Sequence, residues 1–426
     1  MAKILFSFFQ NVIDGDYKKI GIFYEQLSEE FRKNGNEVLL LNMALHKDNW
    51  LSEHIYQEDR LFQEVKEFAP DLVIAFNNQI FPRLLEAVDC PIALWTADEL
   101  MFYQYKNLMK SNLSRYMILS TKKDNADLLD FGFAKEQIHF VKLATSVEKE
   151  DVVQDKGISF IGSLFGVNRA VYEEYTNNEC REAYINFLKN KEFSYIKNFR
   201  RLSQLGEDDV MSVFDIRAIT LAYLADLDLH IYGRGCWVDF SYYMPQLYIC
   251  YHHDSIYSNR QNADIYNSSK ICISISHPQA QGKGYPWRIM DIMASNGCLV
   301  SQYSSMLAEE TKGWVEIPMY YTPEEARGLC ISLLNDDKRR REIVEASQAF
   351  VEKNGRWCDR LKQFESIFNL KFLNNQADAK TNILYFEPKK EVEEKKVGKK
   401  TSIKNKIRYK IWKHLDKKLR RKGIIS

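Results

Sequence analysis

The chain has 426 residues, too many for one ordinary hydrophobic core, so two domains with additions are expected. Hydrophobic residues make up 45% and aromatic residues 13%, ample material for such cores and too much for a disordered chain. The formal net charge of +1 conceals an asymmetry: Lys389–Ser426 holds 16 Lys and Arg against 4 acids, so the body before it is acidic and only the tail invites an anionic partner.

Taken in chain order, Ala2–Phe9 reads as a strand and 10–17 as a polar loop. A helix from about Lys18 carries Ile20, Phe23, Leu27 and Phe31 at helical spacing and stops at Gly35. Glu37–Asn42, Asp71–Phe76, Pro91–Thr96 and Tyr116–Ser120 are buried-strand candidates, with helical patterns at Ile80–Val88 and Lys123–Phe131. Strands alternating with helices predict a doubly wound parallel sheet over 1–148. The signal begins again at Gly157–Ser163, a strand running into a glycine turn, and continues at Asp228–Tyr232, Ile271–Ser276 and Cys298–Gln302. Segments 165–225 read as a helical elaboration, Pro323–Asn354 as helical, and Trp357–Phe372 as a last helix. A second doubly wound domain is therefore expected over 149–373, its final helix free to pack back on the first domain. Residues 374–400 read as a charged linker and 401–426 as a tail helix. No fixed-period repeat is visible, which excludes a solenoid. Ligands of such sheets bind beyond the carboxyl ends of the strands, so the site is expected between the domains.

The eight cysteines (positions 90, 180, 236, 250, 272, 298, 330 and 358) show no C-x-x-C and no regular framework, as suits reduced thiols. The N-terminus runs straight into a strand with no leader pattern, and no apolar run is long enough to cross a bilayer. From these features a cytoplasmic chain is expected. In the tail, Ile403, Ile407, Ile411, Leu415 and Leu419 recur every four residues beside Trp412, with cations on the other faces. Such a helix is built to lie in an anionic membrane surface. A solvated basic helix or one bound to nucleic acid would share the pattern, but the acidic body opposes a nucleic-acid partner.

The chemistry concentrates in His277–Gly297, where a loop with Gly282, Lys283 and Gly284 precedes a helix expected from about Pro286. Backbone N–H groups at a helix start favour a diphosphate, with Lys283 and Arg288 adding positive charge. Asp291 falls on the same helical face as Arg288, where a carboxylate could accept from ribose hydroxyls. A surface loop with a solvated Arg–Asp pair would read alike. Asp98 and Glu99 follow a strand of the first domain; either could take a hydroxyl proton, or serve as an ordinary loop acid or helix cap. His252 and His253 lack a third ligand at metal spacing, and Asp14-Gly-Asp16 and Asp226-Leu-Asp228 are short chance-prone matches, so no metal is expected.

The block Arg288-Ile-Met-Asp291-Ile-Met-Ala294-Ser-Asn-Gly297 resembles the hallmark of the spore-maturation-like glycosyltransferases of the group-1 superfamily. Ile158–Ser163, Ile231-Tyr-Gly233, Asp264–His277, Glu324–Arg341 and Arg360 are similar to further blocks of that family, in the same order. The first half matches loosely, at Pro91–Glu99. Three departures stand out: Asn296 replaces a glycine, Ser274-Ile-Ser276 ends where an Asn is usual, and the family's Arg after the glycine strand could be Arg169 or Arg217.

The resemblance implies the GT-B fold and transfer of a sugar, hexosyl or related, from a nucleotide diphosphate to a cell-surface glycan precursor or lipid-linked acceptor at the inner face of a bacterial membrane. It places Gly162, Ser163 and Gly233 at the nucleotide cleft, Arg288 with Lys283 and Gly284 at the diphosphate, Asp291 at the ribose, and His277 facing the donor. Asp98 would be the acceptor-side base. A nucleotide-sugar epimerase of similar two-domain form and a non-catalytic sugar- or nucleotide-binding scaffold are the rival readings.

Overall fold

The computed structural model describes residues 1–10, 20–43, 58–96, 98, 100, 103–164, 216–233, 237–238, 245–253, 256, 258–276, 284–374 and 383–385. The tail helix expected at 401–426 and most of the elaboration expected over 165–225 lie outside them. So do His277, Lys283, Arg169 and the Asp14–Asp16 pair. Met1–Phe386 forms one compact unit.

The first sheet is assembled from β1 (Lys3–Phe8), α1 (Ile22–Lys33), β2 (Glu37–Asn42), α2 (Glu58–Phe68), β3 (Leu72–Phe76), α3 (Pro82–Ala87), β4 (Ile92–Thr96), α4 (Lys106–Lys110), β5 (Tyr116–Ser120), α5 (Ala126–Phe131) and β6 (Ile138–Phe140). β3 and β4 are buried at every residue, which is why they read as unbroken apolar runs rather than alternations. The second sheet follows with β7 (Lys156–Ile161), α6 (Ile216–Ala222), β8 (Leu229–Tyr232), α7 (Pro245–Cys250), α8 (Asn259–Asn267), β9 (Ser269–Ser274), α9 (Arg288–Ala294), β10 (Cys298–Gln302), α10 (Ser305–Thr311) and β11 (Met319–Tyr320). The chain closes with α11 (Pro323–Leu334), α12 (Asp337–Asn354), α13 (Trp357–Phe368) and β12 (Ile383–Tyr385).

The strand order is β12-β2-β1-β3-β4-β5-β6 in the first sheet and β11-β10-β9-β7-β8 in the second, and every pair is parallel. Both sheets share the doubly wound order in which the second strand lies outside the first and the third lies inside it. Each therefore has a switch point, between β1 and β3 and between β7 and β9, where successive crossovers depart to opposite faces.

Two corrections to the sequence reading concern the last hundred residues. The single helical stretch expected at Pro323–Asn354 is two helices, because the Asp336 carboxylate caps the Arg339 N–H at 2.9 Å and starts α12 afresh. The charged linker expected at 374–400 contains a strand: Ile383, Leu384 and Tyr385 pair in parallel with Val38, Leu39 and Leu40 and extend the first sheet. The signal was there, the apolar run Ile383–Phe386 between polar neighbours, but an edge strand of that length is outweighed by flanking charge in any window average.

α13 buries Trp357, Leu361, Phe364 and Phe368 against Phe6, Leu27, Phe31 and Trp95 of the first domain. Each such side chain contributes roughly 1.5–3 kcal/mol of burial. The chain thus passes between the sheets twice, after β6 and again between α12 and α13. The two crossings are joined where the Thr145 N–H donates to the Gly355 carbonyl at 2.8 Å. No helix of the described residues is long and apolar enough to cross a membrane.

Candidate active site

A cavity of about 420 Å³ lies at the switch point of the second sheet, a volume suited to a small organic ligand. Gly162 and Ser163, directly after β7, form its floor, and Arg217 of α6, Asn262 and Tyr266 of α8, and Arg288 and Asp291 of α9 line its sides. Ile22, Phe23 and Gln26 of α1 supply a wall from the first domain, so the cavity lies between the domains.

Close approach at the floor depends on two glycines. Gly162 donates its N–H to the Tyr232 carbonyl at 2.9 Å, and a Cβ there would lie 2.8 Å from the Phe160 ring. Gly233 has φ +149°, and a Cβ on it would strike the Gly162 carbonyl. Gly233 therefore shapes the floor from behind and is not among the residues of the cavity wall.

Positive charge gathers above Phe160. The guanidinium carbons of Arg217 and Arg288 both lie 5.7 Å from its ring centroid, within cation–π range. Arg217 donates to the Ser163 carbonyl and, at 3.4 Å, to that of Ile275, which also accepts from Arg288 at 3.4 Å. Arg288 forms no ion pair among the described residues, and burial pushes its pKa down from the ordinary value. The two guanidinium groups thus converge where β7 and β9 end. Of the two arginines left open by the sequence, Arg217 lines the cavity and Arg169 lies outside the described residues.

Two residues of the wall, one helical turn apart on α8, carry buried polar atoms with no hydrogen-bond partner among the described residues: Tyr266 Oη and Asn262 Oδ1. Buried polar atoms are nearly always paired, so such a couple in the lining of one cavity stands out. α8 is fixed for this task by its capping box, in which Ser258 Oγ accepts from the Gln261 N–H at 3.2 Å.

Asp291 stands in the wall, yet it is tied across the domains as well. Its Oδ1 accepts from Thr145 Oγ1 at 2.5 Å and from Gln26 Nε2 at 3.0 Å. Burial raises its pKa, against the lowering by these bonds and by Arg288. The sequence reading of a carboxylate waiting only for ribose missed this, because neither partner is within a hundred residues of it. α9 itself begins at Arg288, with Pro286 and Trp287 as the turn before it, not at Pro286. Gly284 sits in that approach with open space around its Cα, outside the cavity wall.

Asp98 lies elsewhere, at the carboxyl end of β4. It is exposed, accepts from Asn77 Nδ2 at 2.6 Å, and donates its own N–H to Asn77 Oδ1 at 2.9 Å. Asn77 and Asn78 both take left-handed backbone, a conformation Asn tolerates better than most residues. Asp98 is not brought to the cavity wall.

His252 stacks on Tyr232 and meets His230 at 2.8 Å, and His253 packs against Tyr248 and Tyr251. Asp226 pairs with Arg327 at 2.6 Å, and Asp228 accepts from the Gly157 N–H at 2.7 Å. Among the described residues no group of three or more His, Cys, Asp or Glu could hold a metal ion. A larger cavity of about 820 Å³ beside β11, lined by residues such as Trp314, Lys312 and Arg339, belongs to one domain only and contains none of the unpartnered buried side-chain atoms.

With the geometry in place, comparison with known proteins sets it in context. Residues 216–366 match a family model described as glycosyl transferase-like, about a third of the chain and the part that holds Arg217, α8 and α9. No curated protein matches the sequence significantly. Among solved structures, HepE from Anabaena in complex with UDP and glucose aligns with TM-score 0.52 at 10% identity, covering 87% of this chain and 100% of that one. Sucrose-phosphate synthase from Thermosynechococcus elongatus aligns with TM-score 0.51 at 11% identity, covering 87% and 98%. At such identities the likeness is one of fold, and the fold is GT-B: two facing doubly wound α/β domains.

Proposed function

We propose that this chain is a glycosyltransferase that takes a sugar from a nucleotide-diphosphate donor held in the cleft above Gly162 and Ser163. The observation that carries this reading is the pairing of Arg217 and Arg288 over Phe160 beside the unpartnered Tyr266 Oη and Asn262 Oδ1. The cations suit a diphosphate and the polar pair suits hydroxyl groups. The HepE structure, which holds UDP and glucose on the same fold, is consistent with it.

In this reading Arg288 and Arg217 hold the diphosphate and stabilise the negative charge that grows on it as the sugar departs. They take the part a metal ion would otherwise play, and no metal requirement is proposed. Asp291 Oδ2, the oxygen not engaged by Thr145 and Gln26, accepts from a ribose hydroxyl. Asp98, fixed by Asn77 outside the cavity wall, is given no part in the transfer in this reading. His277 and Lys283, which follow β9 in the sequence and lie outside the described residues, belong to the donor side in this reading. The acceptor is a cell-surface glycan or lipid-linked precursor, reached through residues 401–426 lying on an anionic inner membrane face. The particular likeness of 288–297 to the spore-maturation-like enzymes belongs to the same reading.

The test is to incubate the full chain with UDP-, GDP- and ADP-linked sugars, with and without glycan and lipid extracts. The expected result is nucleoside diphosphate release that depends on acceptor. Isomerised donor without acceptor would make it an epimerase, and neither outcome with any donor would leave only a binding role.

A further inference from the structure

Gln26 occupies an unusual place in the molecule. It is 4% exposed, on α1 of the first domain, and it uses both ends of its amide twice. Nε2 donates to Asn259 Oδ1 of α8 at 2.8 Å and to Asp291 Oδ1 of α9 at 3.0 Å, both in the second domain. Oε1 accepts from the Ser146 N–H on the first crossing at 2.9 Å and from Trp357 Nε1, at the start of α13, at 3.0 Å. The orientation of the amide is dictated by its surroundings, since the reverse would turn its oxygen toward a carboxylate and its NH2 toward two N–H donors. One side chain thus joins both domains and both places where the chain passes between them. Nearby contacts run the same way: Glu25 Oε2 accepts from the Asn259 N–H at 2.8 Å, and Asn259 Nδ2 donates to Ser146 Oγ at 3.1 Å.

We propose that Gln26 is a positioning residue that couples closure of the two domains to the donor cleft by holding the Asp291 carboxylate against the first crossing and α13. Opening the cleft separates α1 from α8 and α9. That would strip Asp291 Oδ1 of one donor and leave Asn259, Ser146 and Trp357 short of partners. The closed arrangement is then the one in which Asp291 is aimed, and a ligand that engages Asp291 favours closure in return. The inference rests on the donor reading of the cleft for its ligand, but not for the coupling between the crossings.

The test uses the full chain as wild type, Gln26→Glu and Gln26→Met, with UDP, GDP and ADP as probes in calorimetry. Gln26→Glu places a second carboxyl beside Asp291, and two such groups share a proton at lower pH and repel at higher pH. The ionisable groups facing this point are Asp291 and Arg288 from α9, Tyr266 from α8, Glu25 on α1 itself, and Arg356 with Glu148 at the crossings. The expected result is nucleotide affinity about tenfold weaker near pH ~8 than near pH ~6 in Gln26→Glu, with wild type nearly level across the same range. Gln26→Met, if it folds, should bind about tenfold more weakly at both pH values. A folded Gln26→Glu whose affinity follows wild type at both pH values would overturn the coupling. Should wild type bind none of the three nucleotides, the donor reading fails by itself and the coupling is read by hydrogen exchange. Faster exchange of the Thr145 and Ser146 amides in Gln26→Glu at the higher pH, after correction for intrinsic rates, sustains it, and unchanged exchange overturns it.

Discussion

The two sheets share one strand order, yet their switch points are finished differently. In the first sheet, polar groups on and beside the strands bond to one another. Ser7 Oγ donates to the Gln79 carbonyl, Asn42 exchanges two hydrogen bonds with the Gln10 backbone at 2.7 and 3.0 Å, and Tyr116 Oη donates to Asn78 Oδ1 at 3.0 Å. In the second sheet the equivalent point faces a cavity, with Tyr266 and Asn262 left unpaired and two guanidinium groups gathered over one ring. Fold alone does not make a ligand site. The same strand order goes with mutually paired polar groups in one half and, in the other, with a cavity whose lining holds two unpaired polar atoms and two cations.

That contrast breaks most visibly at Arg288. Arg288→Ala should lower kcat/KM for donor transfer by about 100-fold or more, on the order of 3 kcal/mol of lost transition-state stabilisation. The melting temperature should barely move, since the guanidinium makes one long hydrogen bond and no ion pair among the described residues. Steady-state kinetics beside a melting curve decides it, and near-normal turnover in a folded variant removes Arg288 from the reaction.

The opposite pattern is expected in the first sheet. Asn42→Ala leaves the Gln10 N–H and carbonyl unmatched and should cost roughly 1–3 kcal/mol of stability in denaturant titration. Nucleotide affinity of the folded fraction should stay at the wild-type value. A matching loss of affinity would mean that the two switch points are not separate.

Smaller still is the effect of Tyr266→Phe, which deletes a hydroxyl that has no partner among the described residues. Stability should hold or rise, while nucleotide or donor affinity falls by about 3- to 10-fold, the worth of one ordinary hydrogen bond. Lowered stability with unaltered affinity would show the hydroxyl to be a packing group.

How much of this was legible depended on distance along the chain. Glu37–Asn42, Tyr116–Ser120 and Cys298–Gln302 could be read to the residue, because buried parallel strands are short apolar runs bounded by polar turns. Arg288 and Asp291 could be placed on one helix for the same local reason. What could not be read is whatever a residue finds across the fold. Nothing in the sequence singles out Gln26, beside the Phe23–Leu27 stripe, because its partners lie at 146, 259, 291 and 357. Arg217 was one of two alternatives, and only the fold brings the ends of β7 and β9 beside it. Asn262 and Tyr266 carried a faint sign, two polar-tipped residues spaced i, i+4 on the inner face of a helix. Sequence alone cannot distinguish such a pair from one satisfied by a neighbour.

The least conspicuous expectation concerns pH and follows from the cleft being dry enough to disfavour charge on Asp291. Its pKa is raised in the folded protein, so between the unfolded value of about 3.9 and the higher native value the native state binds more protons than the unfolded chain. Stability contributed by this group is therefore fully present below the unfolded pKa and is lost as pH rises through the native one. Asp291→Asn cannot titrate, and subtracting its melting temperature from that of wild type cancels the other carboxylates. The difference should be most favourable to wild type at the acid end and decline as pH rises, levelling off once Asp291 is ionised in both states. A difference that grows with pH would mean that Thr145, Gln26 and Arg288 together hold the carboxylate charged more strongly than burial opposes it, and the cleft would then match the self-satisfied first sheet rather than contrast with it.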